Sequence, residues 1–203
     1  MLNTSANIKE PGLNVLPPGV ERYIVNGGGL TGIQILPDDE IEIINNEGNQ
    51  ICEISVFNKE GKSEPAILNL KENNNVSEIK KILTKKDESS LTALHQLKKR
   101  NLDISKSKSS IIFDKDTSWG EKVKIKSKDK CYCIFAAPGA EMLVHEQNPP
   151  TDLTIFVKRA KITKDKEHHV IPDPMFDPLS EKNIDRATAI SFQVKEGDYI
   201  QVI

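Results

Sequence analysis

The residues with chemistry to offer are three cysteines, four histidines and a few isolated carboxylates. Cys131 and Cys133 stand two apart in Cys131-Tyr132-Cys133-Ile134-Phe135. In an extended strand such positions leave the same face. Two thiolates joined by His145 would offer soft ligands to zinc. The spacing is not the C-x-x-C of a zinc finger, and free cysteine is among the most buried residue types. The pair therefore also reads as two small core residues. His145 follows Met142-Leu143-Val144 and precedes the polar Gln147-Asn148-Pro149-Pro150. It reads as a base or a ligand, or as a partly exposed surface histidine. Glu53 is the sharpest catalytic candidate beside His145. It alternates with Cys52, Ile54 and Val56, so it points away from their apolar side. Under a cover it must be hydrogen-bonded or paired, and a buried carboxylate is a site candidate. In water it would carry no meaning. His95 reads as a helix boundary residue, and His168-His169 falls in a charged stretch.

Asn26-Gly27-Gly28-Gly29 is a loop, because three glycines lose too much chain entropy inside an element. It lacks the spacing and the trailing Lys-Ser/Thr of a phosphate loop. Gly27, Gly28 and Gly29 read first as a turn, and second as a place where a small-molecule ligand approaches the backbone. No Ser/His/Asp arrangement, nucleotide fingerprint or pair of suitably spaced carboxylates is present.

Strands must position these residues. Gly32 to Phe57 alternates apolar and polar positions, as Ile33, Ile35, Ile41, Ile43, Cys52, Ile54 and Val56 do. A period of two is the pattern of half-buried strands. Pro37-Asp38-Asp39 and Asn45-Asn46-Glu47-Gly48-Asn49 break the runs with turn residues. The stretch predicts three consecutive strands in an antiparallel β-meander. Glu21–Val25 precedes it, and Ala66–Leu70 is a further short strand. Ser110–Phe113, Lys122–Ser127, Cys131–Ala136 and Leu153–Ala160 follow. Between the two sets, Ser77–Leu83 and Asp87–Leu97 have helical spacing, Ser77 is placed to cap, and Lys98, Lys99 and Arg100 suit a helix C-terminus. The fold class is thus mainly β (α+β), a meander or barrel-like sheet with a two-helix insert over residues 77–102 against one side.

Residues 1–19, with Pro11, Pro17 and Pro18, form an extended arm. The β-rich domain spans 20–160. Residues 161–186, with Pro172, Pro174 and Pro178 among charges, read as a linker. Ser191 to Ile203 then matches Gly32 to Ile44 without a gap at an offset of 159, with Gln34 on Gln193, Asp39 on Asp198, Ile41 on Ile200 and Ile44 on Ile203. Residues 187–203 are expected to begin a truncated second repeat of a longer polypeptide.

The 203 residues carry 37% hydrophobic, 29% charged and 5% aromatic side chains, a globular composition with a modest core. A net charge of −2 argues against a dedicated nucleic-acid protein. Between Lys80 and Lys130 there are 15 Lys+Arg against 7 Asp+Glu. Much of that excess lies on Lys122, Lys124, Lys126, Lys128 and Lys130, around Val123 and Ile125. It reads as the wet face of an amphipathic strand, and secondarily as an anion-binding surface. No signal-peptide run or membrane-length apolar window is present, and the cysteines make no disulfide framework, so the cytoplasm is expected.

Gly27-Gly28-Gly29, the strand pair and Gly48-Asn49-Gln50-Ile51-Cys52-Glu53-Ile54-Ser55-Val56-Phe57-Asn58 together resemble the urea carboxylase-associated family over residues 20 to 60. Gly48, Gln50, Phe57 and Asn58 sit where that pattern wants them, with Glu53 in place of its Asp. The resemblance implies a β-rich fold and makes Gln50 a ligand-binding candidate with Gly27, Gly28 and Gly29. It also implies an accessory module, in one-carbon or amine nitrogen metabolism, ahead of an aminomethyltransferase of the glycine-cleavage T-protein type. Tetrahydrofolate would then be bound only in a downstream domain, and the partners would be the protein's own downstream domains or a second copy. A zinc-dependent enzyme domain is the alternative.

Overall fold

A computed structural model describes residues 16–72, 77–85, 88–139, 149–161 and 174–176; for 88–90, 92, 96 and 174–176 the backbone alone is described. The strands are β1 (Val20–Val25), β2 (Leu30–Ile35), β3 (Glu40–Asn45), β4 (Cys52–Asn58), β5 (Ser109–Phe113), β6 (Lys122–Lys126), β7 (Cys131–Ala136), β8 (Leu153–Lys158) and β9 (Pro174–Phe176). Helices α1 (Glu78–Leu83) and α2 (Glu88–Lys99) lie between β4 and β5. The β-rich class with a two-helix insert therefore stands.

The strands form two antiparallel sheets, ordered β1-β8-β3-β6 and β5-β4-β7-β2-β9. The expected meander is not how they pair. β2 and β4 lie in the five-stranded sheet and β3 in the other, so none of these three consecutive strands bonds to the next. Alternation fixes which face of a strand is buried, not which strand lies beside it. The corner at Pro37-Asp38, where Asp38 has φ 68°, carries the chain from one sheet to the other. Two further differences concern short segments. Pro65–Leu68 is a 3₁₀ helix, not a strand, with proline in its first turn and Asn69 left-handed at its end. Pro174–Phe176, inside the stretch read as a linker, adds an edge strand to β2.

The core lies between the sheets. Ile33, Ile35, Cys52, Ile54, Val56, Cys131, Cys133 and Phe135 face Val25, Ile41, Ile43, Leu153, Ile155 and Val157. The opposite side of the five-stranded sheet is covered as well. Leu30, Phe57, Ile134 and Ala136 pack there with Ile79, Ile82 and Leu83 of α1 and with Ala93 and Leu97 of α2. Removing each of the valine, leucine, isoleucine and phenylalanine side chains from water contributes about 1.5–3 kcal/mol. Thus β2, β4 and β7 are buried on both faces.

On the edge strand β6, Lys122, Lys124 and Lys126 are exposed, as expected of its wet face. Lys124 reaches Glu42 at 3.5 Å, and Lys126 reaches Asp38 at 2.9 Å. Lysines on an edge strand keep another chain from pairing with it.

Candidate functional site

The loops 26–29, 45–50, 117–121, 137–139 and 149–152 gather at one end of the two sheets. Gln50 ties three of them together. Its side-chain amide donates to the carbonyls of Ile51 at 2.9 Å and Pro138 at 3.0 Å. Its oxygen accepts from the Thr151 backbone N–H at 2.7 Å. The glycine loop docks on the same place. Gly27 N–H donates to Asp152 Oδ1 at 2.9 Å, and Gly28 N–H to the Ala137 carbonyl at 2.7 Å. A Cβ on Gly27 would stand 2.2 Å from the Pro150 carbonyl oxygen, so the backbones touch there and only glycine fits. Asn46 Nδ2 adds bonds to the Asp152 carbonyl at 3.1 Å and to Thr154 Oγ1 at 3.0 Å. Gly27, Gly28, Gly29 and Gln50 are therefore brought together at this loop end. Gln50 spends its hydrogen bonds on joining loops. One polar atom beside it is left over: Thr151 Oγ1 is buried with no hydrogen-bond partner among the described residues.

Glu53 is buried beneath α1, with 1% of its surface exposed. Its carboxylate accepts from Ser77 Oγ at 2.6 Å, from Glu78 N–H at 2.7 Å and from Ile79 N–H at 3.1 Å. The first two amides of a helix have no partner within it, and a carboxylate suits that end of the helix dipole. Glu53 thus anchors α1 to the sheet, together with the Ser77 cap, whose hydroxyl accepts from Lys80 N–H at 3.4 Å.

Cys131 and Cys133 lie on one face of β7, with Sγ atoms 3.7 Å apart in the core between the sheets. Contact with Cys133 lowers the Cys131 thiol pKa, while burial raises that of Cys133. Cys52, also in this core, is raised by burial first and by the neighbouring Glu53 carboxylate second. Structural zinc takes four ligands. The two thiols supply half such a set, and among the described residues no group of three His, Cys, Asp or Glu is placed to hold a metal ion. His145, the third expected ligand and second catalytic candidate, lies outside the described residues, as do His168, His169 and the apparent repeat at 187–203. His95 is exposed on α2.

The opposite end of the molecule holds a cluster that sequence reasoning passed over. Arg159 is 6% exposed and follows β8 directly. It donates to Asp39 Oδ2 at 2.6 Å, to the Gln34 carbonyl at 3.0 Å and to Glu21 Oε1 at 2.8 Å, with a second bond to Glu21 Oε2. Tyr23 Oη donates to Glu21 at 2.7 Å, and Asp39 also accepts from Leu36 N–H at 2.9 Å and Ala160 N–H at 3.0 Å. The ion pairs raise the Arg159 pKa against its burial. Burial, with Glu21 beside it, pushes the Tyr23 phenol up. Every member is satisfied, so the cluster is a clasp joining β1, the β2–β3 corner and the end of β8. Its sequence signal is slight: one arginine after an apolar strand and one aspartate in a turn.

Among the described residues no helix is long and apolar enough to cross a membrane. No family model matches the chain. A curated protein of Ruegeria pomeroyi (strain ATCC 700808 / DSM 15171 / DSS-3) named trimethylamine-oxide aldolase is 34% identical over 197 residues, which is 97% of this chain. The expected accessory module of a glycine-cleavage-type aminomethyltransferase is corrected by this match, since the similar protein is named an aldolase and not a transferase. The chain spans 25% of that relative's length.

Proposed function

We propose that this chain is the two-sheet portion of an aldolase that acts on trimethylamine oxide or a similar small tertiary amine oxide. The observation that carries the reading is the 34% identity running through nearly the whole chain. The chemistry is self-contained. Cleavage of trimethylamine oxide to dimethylamine and formaldehyde breaks the N–O bond and one C–N bond. One methyl carbon receives the oxygen and gives a hydrogen to nitrogen. Every atom is conserved, and no external oxidant or reductant is consumed.

In this reading the described part of the chain holds the loop end in shape. The buried Glu53 and Arg159 are engaged by their own neighbours. The Gly27–Gly29 loop, Gln50 and Asp152 meet at this end, and in this reading the reaction is assigned to it.

The test is a chimera in which this chain replaces the matching quarter of the Ruegeria pomeroyi protein. The chimera is expected to release formaldehyde and dimethylamine in equal amounts from trimethylamine oxide. A folded chimera that releases neither overturns the proposal.

A further inference from the structure

Trp119 is the chain's only tryptophan, and 80% of its surface is exposed. Among the described residues the next most exposed large apolar side chain, Leu91, is at 56% and lies on a helix. Trp119 sits on the loop between β5 and β6, and that loop is fixed on both sides of it. Asn49 N–H donates to the Thr117 carbonyl at 2.8 Å, and Gly120 N–H donates to the Asn45 carbonyl at 2.8 Å. Asn45 N–H returns to the Glu121 carbonyl at 2.9 Å, and Ser118 N–H donates to Glu121 Oε2 at 3.2 Å. Beneath it the turn is tight: a Cβ on Gly48 would stand 2.8 Å from the Trp119 backbone nitrogen.

An indole held in water on a fixed backbone is an arrangement suited to association. Tryptophan buries ~150–250 Å² when it docks. A loop already pinned loses little freedom in the process. The surrounding exposed residues Glu47, Asn49, Ser118 and Glu121 are polar, the rim that surrounds the anchor residues of protein interfaces. The likeness to a protein four times as long supplies the occupant, since this chain matches only 25% of it. We propose that Trp119 seats in an apolar pocket on the remaining three quarters of such a protein, and so fixes the loop end against the rest of the enzyme. The inference rests on the aldolase reading for its partner but not on the activity itself.

Hydroxyl-radical footprinting of Trp119, read by mass spectrometry, tests it on the isolated chain and on the chimera described above. Oxidation of Trp119 is expected to be markedly slower in the chimera, since an interface anchor is excluded from water. Trp119→Ser, at an exposed position, leaves the circular dichroism of the isolated chain unchanged and speeds proteolytic release of this segment from the chimera. Equal oxidation in both proteins overturns the proposal. So does protection in the isolated chain that grows with its concentration, which assigns the site to a second copy. A chimera that protects Trp119 but cleaves no amine oxide upholds the docking and sinks the activity. One that cleaves it with Trp119 unprotected does the reverse.

Discussion

Arg159 and Asp39 meet at 2.6 Å with both side chains almost wholly out of water. A buried charge keeps its place only while its partner is present. Asp39→Ala is expected to leave the guanidinium short of one acceptor and to cost about 3–5 kcal/mol in urea unfolding. Replacing the pair together with apolar residues is expected to cost less than the sum of the single changes. A double-mutant cycle checks this; additive costs would mean the two side chains do not act together.

Glu53→Gln keeps the shape and removes the charge at the start of α1. The expected loss is about 1.5–3 kcal/mol, the range for hydrogen bonds to charged groups. Amide exchange should quicken across Ile79–Leu83 before it does in β7. Unchanged exchange there would show that the carboxylate does not hold the helix.

Gly27 and Gly120 both lie in loops at the same end, yet their substitutions should differ. Alanine at Gly27 would drive a methyl into the Pro150 carbonyl. The expected cost is about 1–3 kcal/mol, with faster exchange of the Thr151 amide. Gly120 has φ +69°, and among the described residues no atom lies within 4 Å of where its Cβ would stand. Alanine there is expected to cost only the left-handed backbone, about 1 kcal/mol. Thermal unfolding of the two variants gives the order directly.

Cys52 sets a pH dependence. Burial raises its thiol pKa in the folded state, whereas the unfolded thiol ionises near its ordinary value of about 8.5. Below that pH both states hold the proton and stability is unaffected. Above it the unfolded state alone loses the proton, so stability falls as pH rises. The slope is about 1.4 kcal/mol per pH unit for this one group. Urea unfolding under reducing conditions from neutral to alkaline pH measures it. Cys52→Val should flatten the curve by one proton; an unaltered slope would assign the loss to other groups.

The element types were legible because alternation and capping act locally. Ile33, Ile35, Ile41 and Ile43 announce half-buried strands, and Ser77 announces α1. Glu53 was legible too, as a carboxylate on the far side of an apolar strand that would need donors if covered. The pairing was not. β2 and β3 are separated by a four-residue corner that serves a meander and a crossing between sheets equally well. Arg159 was invisible because its partners, Asp39 and Glu21, lie more than a hundred residues away. Nothing in spacing along the chain marks such an encounter. Gln50 was picked out by its place in a family pattern, and its carbonyl partners on Pro138 and Ile51 came only with the fold.

The register of β1 and β3 has a bearing on how the protein is made. Both strands hydrogen-bond to β8, Val25 opposite Leu153 and Ile41 opposite Val157. When β1 and β3 are made, β8 does not yet exist, and loop closure over so long a stretch is slow. A ribosome must deliver Lys158 before the four-stranded sheet can close. Nascent chains halted earlier would leave β1 without a partner and β3 open on the edge that β8 covers, and those are the species a chaperone would have to hold.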